Sequence, residues 1–180
     1  MPLEYSLSKL IDSYREKEEN KEESDRMIQD SGKRQEFTTG AVRDIQEGKG
    51  RCDLLPLDVV AKFLGNDDVL IYLHHFSESG DVASLYSALR YFGVDSPYSM
   101  ILDVAIQFEE GAKKYGENNW KKGIPVNSYI HSAIRHYLKY KRGDTDERHD
   151  RAFIWNILCA IWTHENLPEM IDASYIGGAE

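Results

Sequence analysis

Between Tyr98 and Glu165 the chain carries three successive helical patterns, roughly Tyr98 to Tyr115, Asn127 to Lys141 and Asp146 to Glu165, and this run constrains the fold more than any other feature. Apolar residues recur there at intervals of three and four, the spacing of one buried helix face. The connections YGENNWKKGIP and RGDTD interrupt the pattern, and Gly143 follows a basic last turn in the manner of a helix C-terminus. Upstream, Leu57 to Leu64 reads as a short helix behind Pro56, a residue suited to a helix start. LIYLHHF and ASLYSALRYFG, broken by SESGD and VDSP, read as a helical hairpin inserted over residues 66–97. Strand-like alternation is scarce. The expected architecture is all-α, a helical bundle with an irregular N-terminal arm. Residues 1–36, which include REKEENKEESDR, read as a charged helix or tail, 37–165 as the folded domain and 166–180 as a C-terminal tail.

Charge narrows the function classes. The 180 residues hold 22 Lys and Arg against 31 Asp and Glu, a net charge of -9, which disfavours binding to a nucleic acid duplex. Gly111 to Arg142 runs the other way: Lys113, Lys114, Lys121, Lys122, Arg135, Lys139, Lys141 and Arg142 stand against a single acid, Glu117. A cationic band inside an acidic protein suits a small polyanion while repelling large ones. The ordinary alternative is that these lysines solvate exposed helix faces. The sequence has no apolar run long enough to span a bilayer. Cys52 and Cys159 lie far apart, and MPLEYSLSKL lacks the basic start and apolar stretch of a secretory signal. The expectation is a cytoplasmic protein with reduced thiols and no membrane partner.

Helical projection supplies the candidate chemistry. At 100° per residue, Ile101, Val104, Ala105, Phe108, Ala112 and Tyr115 share one face, widened by Leu102 and Ile106, and Glu109 falls inside that arc. A carboxylate there must be paired, protonated or bound to a cation. A salt bridge to Lys113 or Arg135 is the structural alternative. On the last helix, the stripe of Ile154, Ile157, Leu158 and Ile161 continues back to Asp150 and Glu147, so E-x-x-D is expected to face the same interior, with His149 pointing elsewhere beside Asn156. Carboxylates from two helices make an oxygen-rich cage suited to Mg2+ or Mn2+. Acids in a helix first turn also complement the dipole with no metal. Arg43, Lys49 and Arg51 sit among glycines in FTTGAVRDIQEGKGRCDLLP, where the backbone can approach an anion. They join Lys113, Lys114 and Arg135 as candidate phosphate holders, and Trp120 and Asn119 are candidates for contact with a base. His136, with Tyr129, Ser132 and Tyr140, lies on another edge of the middle helix.

The blocks EEGAKKYG, NW, RH, GD and HDRAFIWN, preceded by TTGAVRDIQEGKGRCDLLP, resemble the phage and bacterial dATP/dGTP diphosphohydrolases, which are similar to the MazG-like all-α nucleoside triphosphate pyrophosphohydrolases. The resemblance runs from near Phe37 to Thr163. It implies magnesium-dependent cleavage of a deoxypurine triphosphate to monophosphate and pyrophosphate, in a host cytoplasm if the chain is phage-encoded. By the same resemblance Glu109 and Glu110 are the catalytic candidates, and Glu109, Glu110, Glu147 and Asp150 the metal candidates, with His149 as a substitute ligand. Arg43, Lys49, Arg51, Lys113, Asn119, Trp120, Arg135, His136 and Asn156 are the substrate-binding candidates. Lys113 departs from the E-E-x-x-E pattern of the wider group at its third acid. A catalytically silent nucleotide-binding or interaction module is therefore the alternative. The surplus apolar face on the Tyr98 to Tyr115 helix points to a homo-oligomer.

Overall fold

The computed structural model describes residues 32–94 and 96–171. Most of residues 1–36 and of the tail beyond 166 therefore lies outside the described residues. The first elements are two short strands, β1 (Arg34–Glu36) and β2 (Val42–Asp44), paired antiparallel with Gln35 opposite Arg43. The turn between them passes through Gly40 at φ 76°, a conformation that favours glycine. Six helices follow: α1 (Leu57–Phe63), α2 (Asp68–Ser79), α3 (Val82–Phe92), α4 (Pro97–Tyr115), α5 (Val126–Arg142) and α6 (His149–Asn166). The fold is all-α, with the ribbon as the one sheet among the described residues.

Local chemistry explains most boundaries. The carboxylates of Asp67 and Asp81 accept from the backbone N–H of Leu70 and Ala83 and start α2 and α3. Ser96 caps α4 ahead of Pro97, and Gly143 at φ 86° ends α5. Asp67 also ties the start of α2 to α5, because its two oxygens accept from the Tyr137 hydroxyl at 2.8 and 2.6 Å.

α5 and α6 pack along each other as the spine, α4 lies against α6, and the α2–α3 hairpin closes the opposite side. The core joins Leu70, Leu73 and Phe76 of α2 and Leu85 of α3 to Tyr129 and Ile134 of α5 and Phe153 and Ile157 of α6. Each such side chain contributes about 1.5–3 kcal/mol by burial. The hairpin over 66–97 therefore shares one core with the C-terminal helices. Along α6, Arg151 to Ile154 and Cys159 to Ile161 are all buried, so this helix is covered nearly all round.

Two features differ from the helical projection. On α4 only Val104 and Gln107 are buried, while Ile101 is 52% and Leu102 71% exposed, with Ala105, Ile106 and Glu109 also outward. The apolar arc of α4 is wider than α6 can cover, and the packed seam runs through Val104, Gln107 and Phe108. Glu109 therefore sits on an outer face rather than inside the apolar arc. On the last helix, α6 begins at His149, so Glu147 precedes it and its position is not set by the helical stripe. His149, expected to point away, is 2% exposed and faces α5.

Candidate active site

A cavity of about 840 Å³ opens between the ribbon, the inner sides of α4, α5 and α6, and the turn Asn119–Lys122. That volume suits a nucleotide-sized ligand. Three kinds of surface meet in it. Cations come from Arg43, Lys49, Arg135 and Lys139; aromatic rings from Phe108, Tyr115, Trp120 and Trp155; and proton acceptors from Glu147 and His136.

The cationic wall is incompletely satisfied. Arg43 reaches from β2 to donate through Nη2 to Ser132 Oγ at 2.7 Å, and Arg135 reaches the same oxygen from one turn away at 3.4 Å. The Nη1 nitrogens of both guanidinium groups are buried with no acceptor among the described residues. Burial pushes both side chains below the ordinary arginine range, and for Arg43 the nearby Arg135 adds to the effect. Guanidinium groups stay charged in proteins, so two of them held together in a buried place call for an anion. Lys49 is lowered by burial against the pull of Asp44.

The aromatic side is a packed set. Trp120 contacts Phe108 at 5.3 Å and Trp162 at 5.0 Å, and Trp155 contacts Phe108 and Tyr129. Among the described residues five buried side-chain polar atoms lack a partner, and four belong to cavity-lining residues: the two arginine nitrogens, Trp155 Nε1 and Asn156 Oδ1. One donor and one acceptor, on adjacent residues of α6, are thus unspent beside the rings.

Between the two walls, His136 Nδ1 and His149 Nδ1 lie 3.0 Å apart, and Glu147 Oε1 lies 3.3 and 3.4 Å from them. Burial, then the neighbouring Arg135, holds His136 well below the ordinary histidine range. His149 Nε2 faces Asp146 Oδ1 at 2.8 Å, while Lys139 binds Asp146 at 2.9 Å and pulls its carboxyl down to about 2.

The remaining candidates separate into those near the cavity and those away from it. Asn119 lines it but is committed to the ribbon, accepting from the Val42 N–H at 2.9 Å and donating to the Val42 carbonyl at 2.7 Å. Arg51 lies in a second hollow and is paired with Asp53 at 2.6 Å. Lys113 faces solvent and pairs with Glu109 at 2.5 Å, which holds the Glu109 carboxyl below its usual range. Glu110 Oε2 accepts from the buried Arg151 at 3.0 Å, and Arg151 also donates to Gln107 Oε1 at 2.8 Å. Burial would raise Asp150, but Arg148, bonded at 2.9 and 3.0 Å, draws it down overall. Arg148 also spans to Asp103 of α4. The four acids expected to form a cage are therefore not gathered: Glu109, Glu110 and Asp150 are each spent on a cation, and a four-carboxylate magnesium cage does not fit this arrangement. Glu147 alone of the four lies with the histidines. The groups of acids and histidines able to hold a metal, among the described residues, are His136 with Glu147 and His149, and Asp144 with Asp146 and His149. Trp155 and Ser132 are not marked as site residues by the sequence pattern, and Lys139 is marked only as a member of the cationic band. Trp155 has a local signal, lying next to Asn156 in HDRAFIWN.

Residues 83–173, from α3 to just past α6, match the family model described as dATP/dGTP diphosphohydrolase, N-terminal. The chain belongs to this family. The matched span contains Arg135, His136, Glu147, His149, Trp155 and Asn156, whereas Arg43 and Lys49 come from outside it. Comparison with curated proteins and with solved structures gave no match. No helix among the described residues is long and apolar enough to cross a membrane.

Proposed function

We propose that the protein hydrolyses a deoxypurine nucleoside triphosphate, dATP or dGTP, to the monophosphate and pyrophosphate. The observation that carries this reading is the pair of buried guanidinium groups, Arg43 and Arg135, whose Nη1 atoms lack acceptors in a cavity that also offers aromatic rings. The family description supplies the substrate class. Arg43 and Arg135, with Lys49 and Lys139 beside them, grip the triphosphate and offset charge that builds on the leaving pyrophosphate. Trp120 and Trp155 flank the purine, and Trp155 Nε1 and Asn156 Oδ1 offer the donor and acceptor that a base edge needs. The cluster of His136, Glu147 and His149 places the attacking water, and the second oxygen of Glu147 accepts its proton. Glu109, on the cavity rim, is the second candidate for accepting that proton, and its pairing with Lys113 makes it a weaker base than a carboxylate with an ordinary pKa. The metal requirement implied by the family resemblance falls to the same cluster, because the other acids are engaged. The outward apolar residues of α4, Ile101, Leu102 and Ile106, are proposed to be covered in a homo-oligomer, which light scattering tests directly.

Incubation of the pure chain with each of the four dNTPs in turn, in Mg2+ and in Mn2+, tests the reaction. Pyrophosphate and dAMP or dGMP should appear, and Glu147→Gln should abolish them. The pairing of Glu109, Glu110 and Asp150 with cations favours a second reading, a nucleotide-binding module without turnover. In that case dATP or dGTP raises the melting temperature and is recovered intact.

A further inference from the structure

The kind of metal that suits this cluster follows from its geometry, in which three lone-pair donors from two helices and a loop converge on one point. His136 Nδ1, His149 Nδ1 and Glu147 Oε1 do so, with mutual separations of 3.0, 3.3 and 3.4 Å. His136 and His149 are 8% and 2% exposed, so water does not separate them freely. The tautomer of His149 follows from its other nitrogen. Nε2 lies 2.8 Å from the Asp146 carboxylate, which can only accept, so Nε2 carries the proton and the neutral ring presents Nδ1 as a lone pair. A carboxylate behind a histidine in this way is the outer support of a metal-ligating imidazole. Without a cation, only one proton from His136 is left to hold together two imidazole nitrogens and a carboxylate oxygen, and the Glu147 oxygen then approaches His149 Nδ1 with no hydrogen between them.

We propose that His136, His149 and Glu147 bind one divalent transition-metal ion, of the class of Mn2+, Fe2+, Co2+ or Zn2+, in preference to Mg2+. The spacings are those of a coordination shell. Ligand atoms about 2.1 Å from a common ion lie about 3.0 Å apart at an octahedral edge and about 3.4 Å apart at a tetrahedral one. Two imidazoles and one carboxylate select borderline metals, whereas magnesium keeps oxygen ligands and water. Asp146, held by Lys139, serves as the orienting group behind His149 and not as a ligand. Because Glu147 and His136 line the cavity, the ion stands beside Arg135, where a triphosphate would lie. That last step rests on the proposed hydrolysis; binding of the ion does not.

The test is titration of the full chain, stripped with a chelator and free of nucleotide, with Co2+ followed by visible absorption and with Zn2+ and Mg2+ followed by calorimetry. One equivalent of Co2+ and of Zn2+ should bind, at least about 100-fold more tightly than Mg2+. His136→Asn and His149→Asn should each lower Zn2+ affinity at least about 100-fold, and Asp146→Asn about 10- to 100-fold. Glu147→Gln, at a residue outside the helices, guards against loss of fold and should lower affinity while leaving circular dichroism unchanged. Absence of Co2+ and Zn2+ binding, binding that survives both histidine substitutions together, or equal affinity for Mg2+ would overturn the proposal. Tight Zn2+ binding without dNTP turnover would leave the site standing and sink the hydrolysis; turnover with Mg2+ by a chain that binds neither Co2+ nor Zn2+ would do the reverse.

Discussion

The acids of α4 and the start of α6 contrast with the buried polar groups of the cavity wall. Glu109, Glu110 and Asp150 each have a cationic partner in the fold, from Lys113, Arg151 and Arg148. Arg43, Arg135, Trp155 and Asn156, on the cavity side, each keep a buried polar atom without a hydrogen-bond partner among the described residues. Burying such an atom costs free energy that a ligand can return, whereas an acid already paired with a cation gains less from a second one. Charge type alone therefore does not mark a site in this fold; unspent hydrogen-bonding capacity does.

The largest effect expected from this contrast is at the cations. Arg43→Ala or Arg135→Ala should lower kcat/KM for dATP or dGTP roughly 100-fold, with binding of the deoxynucleoside monophosphate less affected. A change below about 3-fold would erase the distinction between the two regions. Next comes the structural pair of the other region: Glu110→Ala takes the carboxylate away from the buried Arg151 and should cost about 3 kcal/mol of stability, read as a lower denaturant midpoint. Specific activity per folded molecule should stay near wild type. Trp155→Phe keeps an aromatic ring and loses the indole N–H; kcat/KM should fall roughly 10-fold for the preferred purine and less for the other. At the outer pair, Lys113→Ala should leave melting temperature and turnover essentially unchanged, since an exposed pair contributes little.

A separate and small effect is a pH dependence at a histidine away from the cavity wall. His131 Nε2 lies 2.7 Å from the Gly50 carbonyl, and burial lowers its pKa below the ordinary value. The unfolded chain therefore takes up this proton first as pH falls through about 6.5, so His131 contributes stability above that pH that is lost on acidification. His131→Gln should flatten the fall in melting temperature between about pH 7 and pH 5. An unchanged slope would mean that other groups dominate.

The C-terminal helices are legible in the sequence because their apolar spacing and Gly and Pro punctuation act locally; α5 differs from its expected bounds by one residue at each end. The hairpin α2–α3 is legible as helix, and its place in the common core is not, because no local pattern reports which neighbour a face meets. At the site, the sequence points to the cations Arg43 and Arg135 and to Asn156. It places Glu109 inside the apolar arc of α4, whereas the carboxylate is exposed at the cavity rim, since that helix carries more apolar surface than α6 covers. His136 and His149 lie thirteen positions apart on different helices, and Glu147 precedes the second of them. Only the packing of α5 on α6 brings their lone pairs to one point.

The central claim is a cleavage between the α and β phosphates in this cavity, and 31P NMR of dGTP and of dATP incubated with the protein and Mn2+ tests it most directly. The prediction is growth of pyrophosphate and monophosphate resonances in equal amounts, suppressed in Arg135→Ala. Accumulation of diphosphate with orthophosphate, release of intact tripolyphosphate, or no change in either substrate would contradict it.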